Sequence, residues 1–214
     1  MRYYVIADIH GEAELLRKAL TSLYEWNPKG GKIIFLGDYI DRGPDAKGVC
    51  DIVMNPPEGW EFIALMGNHE EMFVNSFLNR DQFYDPRAFR QFVDGAALFD
   101  PYDMVYRQFP TKYTEWMKNL PLFHFEDNNV FAHAWWEPGA TQEEILWTRL
   151  DDWMRGPKDK YLIHGHTPRR NGPCETTMRT NLDCGAVFYG RLVVAEMKQG
   201  VMGPTKYHEF HKED

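Results

Sequence analysis

One local pattern recurs five times in this chain: a short buried strand that ends in Asp, Asn or His. Tyr3 to Ala7 is a continuous apolar run closed by Asp8-Ile9-His10-Gly11. Lys32 to Leu36 reads KIIFL and stops at Gly37, with Asp38, Asp41 and Arg42 close behind. Phe62 to Met66 runs into Gly67-Asn68-His69-Glu70. After each come apolar residues at helical spacing: Ala13 through Leu23, then Val49, Ile52 and Val53, then Met72, Phe73 and Phe77. Strands that are apolar on both faces and alternate with helices pack as a parallel sheet with right-handed crossovers. The habit returns later, where Val130-Phe131 leads to His133 and Tyr161 to Ile163 leads to His164-Gly165-His166.

Further strands are expected at Leu122 to Glu126, Val130 to Ala134, Tyr161 to His164 and Arg191 to Met197, with a helix over Lys112 to Asn119. Asn79 to about Gln108 is polar and aromatic without a clear period, and reads as an insertion over 79–110. The tail from Gln199 reads as loosely ordered. With no linker or repeat in its 214 residues, the chain is expected to be a single domain over 1–214 with two sheets.

Charge and cysteine content exclude several classes. A net charge of -8 argues against an extended nucleic-acid surface, which leaves a basic footprint. Cys50, Cys174 and Cys184 are odd in number and lack CxxC spacing, so they fit small core hydrophobes rather than a disulfide framework or a zinc knuckle. No apolar run approaches the ~18 residues of a membrane span. MRYYVIAD enters a strand at once, so the expected setting is the reducing cytoplasm. The sequence is silent on oligomeric state.

The carboxyl ends of parallel strands are where ligands collect in open α/β sheets. Single residues there have plain explanations: Asp8 as a cap for the helix at Glu12, Asn68 as a turn residue, Glu12 and Glu70 as first-turn acids favoured by the helix dipole. Five such ends together point to a site. Mixed oxygen and imidazole donors suit Mn, Fe, Zn, Co or Ni better than thiolate-selecting ions. A carboxylate can bridge two ions, and such a pair lowers the pKa of bound water and neutralises a phosphoryl group under attack.

Asp8-x-His10, Gly37-Asp38-x-x-Asp41-Arg42-Gly43, Gly67-Asn68-His69-Glu70, His133-Ala134 and Gly165-His166 resemble the calcineurin-like metallophosphoesterase superfamily in order and spacing. LWTRLD, HGHTP and NLDCGAVFYGRL look most like its phosphoprotein phosphatase branch, that of the bacteriophage lambda serine/threonine phosphatase and its bacterial relatives. The resemblance spans roughly Tyr3 to Leu192, insertion excepted. It implies an α/β fold, a four-layer αββα sandwich of two mixed sheets, and two divalent metal ions, Mn first. By the family pattern Asp8, His10 and Asp38 hold one ion. Asp38, Asn68, His133 and His166 hold the other, Asp38 bridging. His69 protonates the leaving oxygen, oriented by Asp41, while Arg42 and Arg149 grip the phosphate. His164 is expected behind the ligands, because Pro168 stands where relatives with a histidine pair carry the second. His133 is followed by Ala-Trp-Trp, so Trp135 and Trp136 are expected to narrow the cleft. His124, His208 and His211 read as surface or packing residues.

The implied activity is a phosphoprotein phosphatase acting on Ser, Thr or Tyr esters or on small phosphoesters, with metal-held hydroxide as nucleophile. A symmetrical dinucleoside polyphosphate hydrolase is the alternative. A nucleic-acid phosphoesterase and an inactive metal-binding module stand behind these.

Overall fold

The computed structural model describes residues 2–78 and 110–212. The first sheet joins β1 (Arg2–Ile6), β2 (Gly31–Phe35), β3 (Trp60–Ala64), β9 (Arg191–Lys198) and β10 (Lys206–His211) in the order β10-β9-β1-β2-β3. β1, β2 and β3 pair in parallel, and β9 joins β1 antiparallel. The second sheet, in the order β4-β5-β6-β8-β7, contains β4 (Phe123–Glu126), β5 (Asn129–Ala132), β6 (Tyr161–His164), β7 (Cys174–Thr176) and β8 (Arg179–Asn181). β5, β6 and β8 run parallel there, with β4 and β7 antiparallel at the edges.

Alternation along β1 and β2 sets the layers. Tyr4, Ile6, Ile33 and Phe35 share a core with Leu16, Ala19, Leu20 and Leu23 of α1 (Ala13–Trp26) and with Val49 and Val53 of α2 (Ala46–Met54). Their neighbours Tyr3, Val5, Ala7, Ile34 and Leu36 face the opposite way and pack on Phe131, Ile163 and Leu182 of the second sheet's segments. Tyr3 meets Phe131 edge-on, ring centroids 6.1 Å apart. Outside the second sheet, Ile145 and Leu146 of α5 (Gln142–Trp147) share a core with Val130 and Leu162. Two mixed sheets therefore lie face to face with helices outside, and the parallel strands of both sheets deliver their carboxyl ends to one edge of the sandwich.

The structure departs from these expectations at the tail and at Cys174, and adds short elements that the sequence did not announce. The tail from Gln199 is not loose: β10 pairs with β9 from Lys206↔Glu196 to His211↔Arg191, and Trp26 stacks on His208 with ring centroids 4.4 Å apart. As an edge strand half in solvent, it carries too few apolar residues to stand out. β7 and β8 are three residues each, too short for a period to show. α5 lacked a stated expectation although TQEE is a capping box, with Thr141 accepting from the Glu144 amide and Glu144 accepting from the Thr141 amide. Cys50 and Cys184 are buried as expected, whereas Cys174 is half-exposed. The 79–110 insertion lies outside the described residues, Pro110 excepted. No helix among the described residues is long and apolar enough to cross a membrane.

Candidate metal centre

Each strand reaches the site through an abrupt turn. Asp8, His10, Asp38, Asp41, Arg42 and His166 all adopt φ between 45° and 70°, the left-handed region. Asp and His tolerate it better than most residues, but each such position still costs on the order of 1–3 kcal/mol that the surroundings must hold. Backbone bonds between loops do that: His10 N–H donates to Asp38 O (2.8 Å), Gly11 N–H to Tyr39 O (2.9 Å) and Gly165 N–H to His133 O (2.8 Å).

Two glycines make room for carboxylates. A Cβ on Gly165 would fall 1.8 Å from Asp8 Oδ2, and one on Gly67 would fall 2.3 Å from Asp38 Oδ1. His166 N–H reaches across from the second sheet to Asp8 Oδ1 (3.0 Å), which ties the two sheets' loops together.

The imidazoles are held in defined tautomers. His10 Nδ1–H donates to Ile40 O (2.8 Å) and His133 Nδ1–H to Leu36 O (2.9 Å), so both Nε2 lone pairs point into the site. His10 Nε2 then lies 3.2 Å from Asp38 Oδ2, while His133 Nε2 lies 3.5 Å from Asp38 Oδ1. One carboxylate thus presents its two oxygens to histidines from different sheets. Asn68, the first residue of α3 (Asn68–Leu78), places Oδ1 2.9 Å from His133 Nε2 and 3.1 Å from His166 Nδ1; those two nitrogens are 3.2 Å apart. Hydrogens are scarce in this cluster, since three atoms able to accept converge, the His133 proton is committed to Leu36 O, and His166 can supply at most one. A cation satisfies such a set, and the N/O donors suit a borderline divalent ion. His10, Asp38 and His69 form one group able to hold a metal, and Asp8, Asp38 and His133 a second, sharing Asp38.

Electrostatics say the same. Burial pushes the Asp8 carboxyl well up, and Asp183 and Asp38 add to the push. For Asp38 burial acts upward too, but His133, His69 and His10 outweigh it and hold the carboxyl well down. Burial presses His166 down to about 3 and also lowers His133, leaving both neutral and able to ligate.

Beside this cluster His69 Nδ1 meets Asp41 Oδ2 at 2.5 Å, and the His69 ring stands edge-on to His10 with centroids 4.7 Å apart. Arg42 contacts His10 Nε2 through Nη1. Arg149 is exposed, and its charge helps to depress His166. His164 is turned away: its Nδ1 contacts Gly165 O (3.1 Å) and its Nε2 accepts from buried Arg179 (3.0 Å). Trp136 is not at the cluster but packs on Phe125 of the β4 edge, centroids 5.0 Å apart; Trp147 is the indole near His166, at 6.3 Å.

Four residues were missed or misread. Asp183, buried after β8 and raised to about 6 by burial, repeats the strand-then-acid signal, but its strand went unrecognised. Arg179 anchors His164 and also donates through Nε to Met154 O (2.9 Å). Glu70 is no dipole acid: fully buried, it accepts from the Asp38 and Gly67 amides through Oε2 (2.8 and 3.0 Å) and from Tyr39 and Ile40 through Oε1 (2.8 and 3.3 Å). Asp8 caps nothing, since Glu12 occupies the N-cap position of α1 and pairs with Lys212 Nζ (2.7 Å).

Residues 1–190 match the calcineurin-like phosphoesterase family. Serine/threonine-protein phosphatase 1 of Salmonella typhimurium is 26% identical over 214 residues, covering 91% of each chain. The asymmetrical bis(5'-nucleosyl)-tetraphosphatase PrpE of Anoxybacillus flavithermus is 27% identical over 222 residues, covering 90% of this chain and 89% of that one. A crystal structure provisionally named a diadenosine tetraphosphatase, 18% identical, superposes with a TM-score of 0.71 over 97% of this chain and 93% of the other.

Proposed function

The chain belongs to the calcineurin-like phosphoesterase family, and on that premise we propose that it hydrolyses phosphoesters at a dinuclear metal centre. The observation that carries the proposal is the Asp38 carboxylate, whose two oxygens face His10 and His133 separately. Asp8, His10 and Asp38 would hold one ion; Asp38, Asn68, His133 and His166 would hold the other. Manganese is the proposed metal, with Fe, Zn, Co or Ni also suited to these donors. When bound, such a pair supplies a nucleophile at neutral pH and neutralises charge on the phosphoryl oxygens.

The chain's own side chains do the rest. Arg42 and Arg149 offer planar forked donors to phosphate oxygens. Asp41 accepts from His69 Nδ1–H and so orients the ring for transfer of a proton from Nε2 to the leaving oxygen. Neutral Asn68 contributes an oxygen without adding negative charge where a phosphate dianion must arrive.

Phosphorylated Ser, Thr or Tyr is the first substrate class, supported by the Salmonella relative. The second is a dinucleoside tetraphosphate, supported by the PrpE relatives at similar identity and coverage; these are named asymmetrical hydrolases, whereas the sequence motifs suggested the symmetrical kind. The cytoplasm remains the proposed setting and one domain over 1–214 the proposed organisation.

The test uses the leaving group. His69→Asn should slow hydrolysis of a phosphoserine peptide by about 10²–10⁴-fold, because serine leaves as a strongly basic alkoxide. It should slow p-nitrophenyl phosphate far less, with metal content unchanged. Because His69 also lies among possible metal donors, equal slowing of both substrates with loss of metal would make it a ligand and end the general-acid assignment.

A further inference from the structure

Arg42 has two sides. Its Nη1 reaches His10 inside the site, and its guanidinium lies over the Phe188 ring, 5.4 Å from the centroid. Phe188 and Tyr189 end α6 (Ala186–Tyr189) and stand 54% and 47% exposed, two large aromatics side by side at the surface. Between them and β9–β10 opens a recess of about 380 Å³ lined by Arg170, Phe188, Tyr189, Arg191 and His211, within the range of pockets for small organic ligands.

The lining is cationic and flat, in a chain of net charge -8. Arg170 lies over the Tyr189 ring at 6.0 Å and has no carboxylate partner among the described residues. Arg191 donates through Nη2 to the Arg170 carbonyl, yet its buried Nε–H has no acceptor. A buried donor without an acceptor costs free energy unless a ligand supplies one. Glu209, 3.8 Å from Arg191 and 3.5 Å from His211, offsets part of the positive charge and leaves that of Arg170 in place.

We propose that this recess is a second subsite of the hydrolase, which stacks a planar nucleobase on Tyr189 and Phe188 and holds adjoining phosphate through Arg170. The proposal rests on the phosphoesterase reading of the neighbouring centre and selects nucleotides as its substrate class. Aromatic rings layered with guanidinium planes suit any base, because every base has a π-face. A peptide around phosphoserine presents flexible side chains that gain little from a flat wall.

Binding tests this without turnover. Metal-loaded protein is titrated calorimetrically with the non-hydrolysable phosphonate analogue of AMP, with the matching ribose phosphonate that lacks the base, and with a phosphonate analogue of a phosphoserine peptide. Base stacking should make the nucleotide bind about 5- to 150-fold more tightly than the ribose compound. Tyr189→Leu should reduce that preference to about 2-fold or less while ribose phosphonate binding holds, which also shows the variant is folded. Arg170→Gln should weaken a diphosphate analogue more than the monophosphate. No preference for the base, a preference that survives Tyr189→Leu, or a peptide analogue weakened as much as the nucleotide would each overturn the proposal. Failure of the phosphoesterase reading would show separately, as absence of turnover on every phosphoester.

Discussion

Replacing Glu70 with Gln tests the frame that holds the metal centre. The carboxylate accepts four backbone N–H groups, two on each oxygen, from Asp38, Gly67, Tyr39 and Ile40. Two effects oppose each other there. Burial, and then the neighbouring Asp38 charge, press the carboxyl up to about 8 even against the pull of the Tyr39, Asp38 and Ile40 amides, whereas the geometry of four converging N–H donors favours the ionised form. The amides decide, because a protonated carboxyl would aim its O–H at a pair of N–H donors. Gln keeps one oxygen and turns an NH₂ group toward the other pair, leaving two buried N–H groups facing a donor. At about 1–3 kcal/mol each, the loss is about 2–6 kcal/mol, a large share of a typical 5–15 kcal/mol stability. The damage should reach the site as well, since Ile40 O accepts from His10 and Asp38 lies between the two metal-binding groups. Urea unfolding of the metal-stripped protein isolates the structural part, and metal stoichiometry after reloading reads the functional part. Were Glu70 neutral, Gln would be a near copy of it. A variant within about 0.5 kcal/mol of wild type, loading two ions per chain, would refute the ionised clasp.

Two further outcomes follow from the geometry. His166→Ala should empty or weaken one metal position, whereas His164→Ala, whose ring faces Arg179, should cost about 10–100-fold in affinity or activity; equal and severe metal loss in both would reverse the assignment. Asp51 links α2 to α4 (Thr111–Lys118) by accepting from Lys47 Nζ and Tyr113 OH, both at 2.6 Å, and these bonds hold its carboxyl down to about 2 from an ordinary 3.8. A lowered folded-state value gives stability that is present above the unfolded value and lost as pH falls through the folded one. The stability gap between wild type and Asp51→Asn should therefore be flat above about pH 4 and close toward pH 2; a gap unchanged across that window would place its origin elsewhere.

The sequence made β1, β2 and β3 legible because they are short, mostly apolar runs and each is followed by a helix. It made the ends of those strands legible because polar residues directly after buried runs need a reason. The two readings stopped at the same place. β7 and β8 are too short to show a period, so Asp183 at the end of β8 carried no strand to mark it. Glu70 shows a second limit, since its position in the first turn of α3 admits a local explanation that suffices from the chain alone. Only folding brings the Asp38–Ile40 amides, some thirty residues earlier, against its carboxylate. Arg179 is hidden for the same reason, because its partners come from segments with no shared pattern.

A site built this way works against the fold that carries it. Asp8, Asp38 and Asp183 are buried together, and burial first, then Asp183 and Asp38, push Asp8 well above the ordinary carboxylate range. In the metal-free protein an ionised Asp8 is thus a source of repulsion, relieved only in part by the His166 amide. In the loaded protein the same charge would attract a cation, and a ligand that binds only the folded state adds stability as its concentration exceeds its dissociation constant. One substitution should therefore act with opposite signs. Asp8→Asn should leave the metal-free protein as stable as wild type or more so, because the amide keeps an oxygen for His166 N–H and loses the charge. It should make the protein less stable than wild type once manganese is added, because one ligand has lost its affinity. Thermal unfolding of both proteins, with chelator and with excess manganese, gives four midpoints whose differences should cross. If Asp8→Asn is less stable under both conditions by the same amount, its carboxylate serves the fold rather than a metal, and its assignment to the first ion fails.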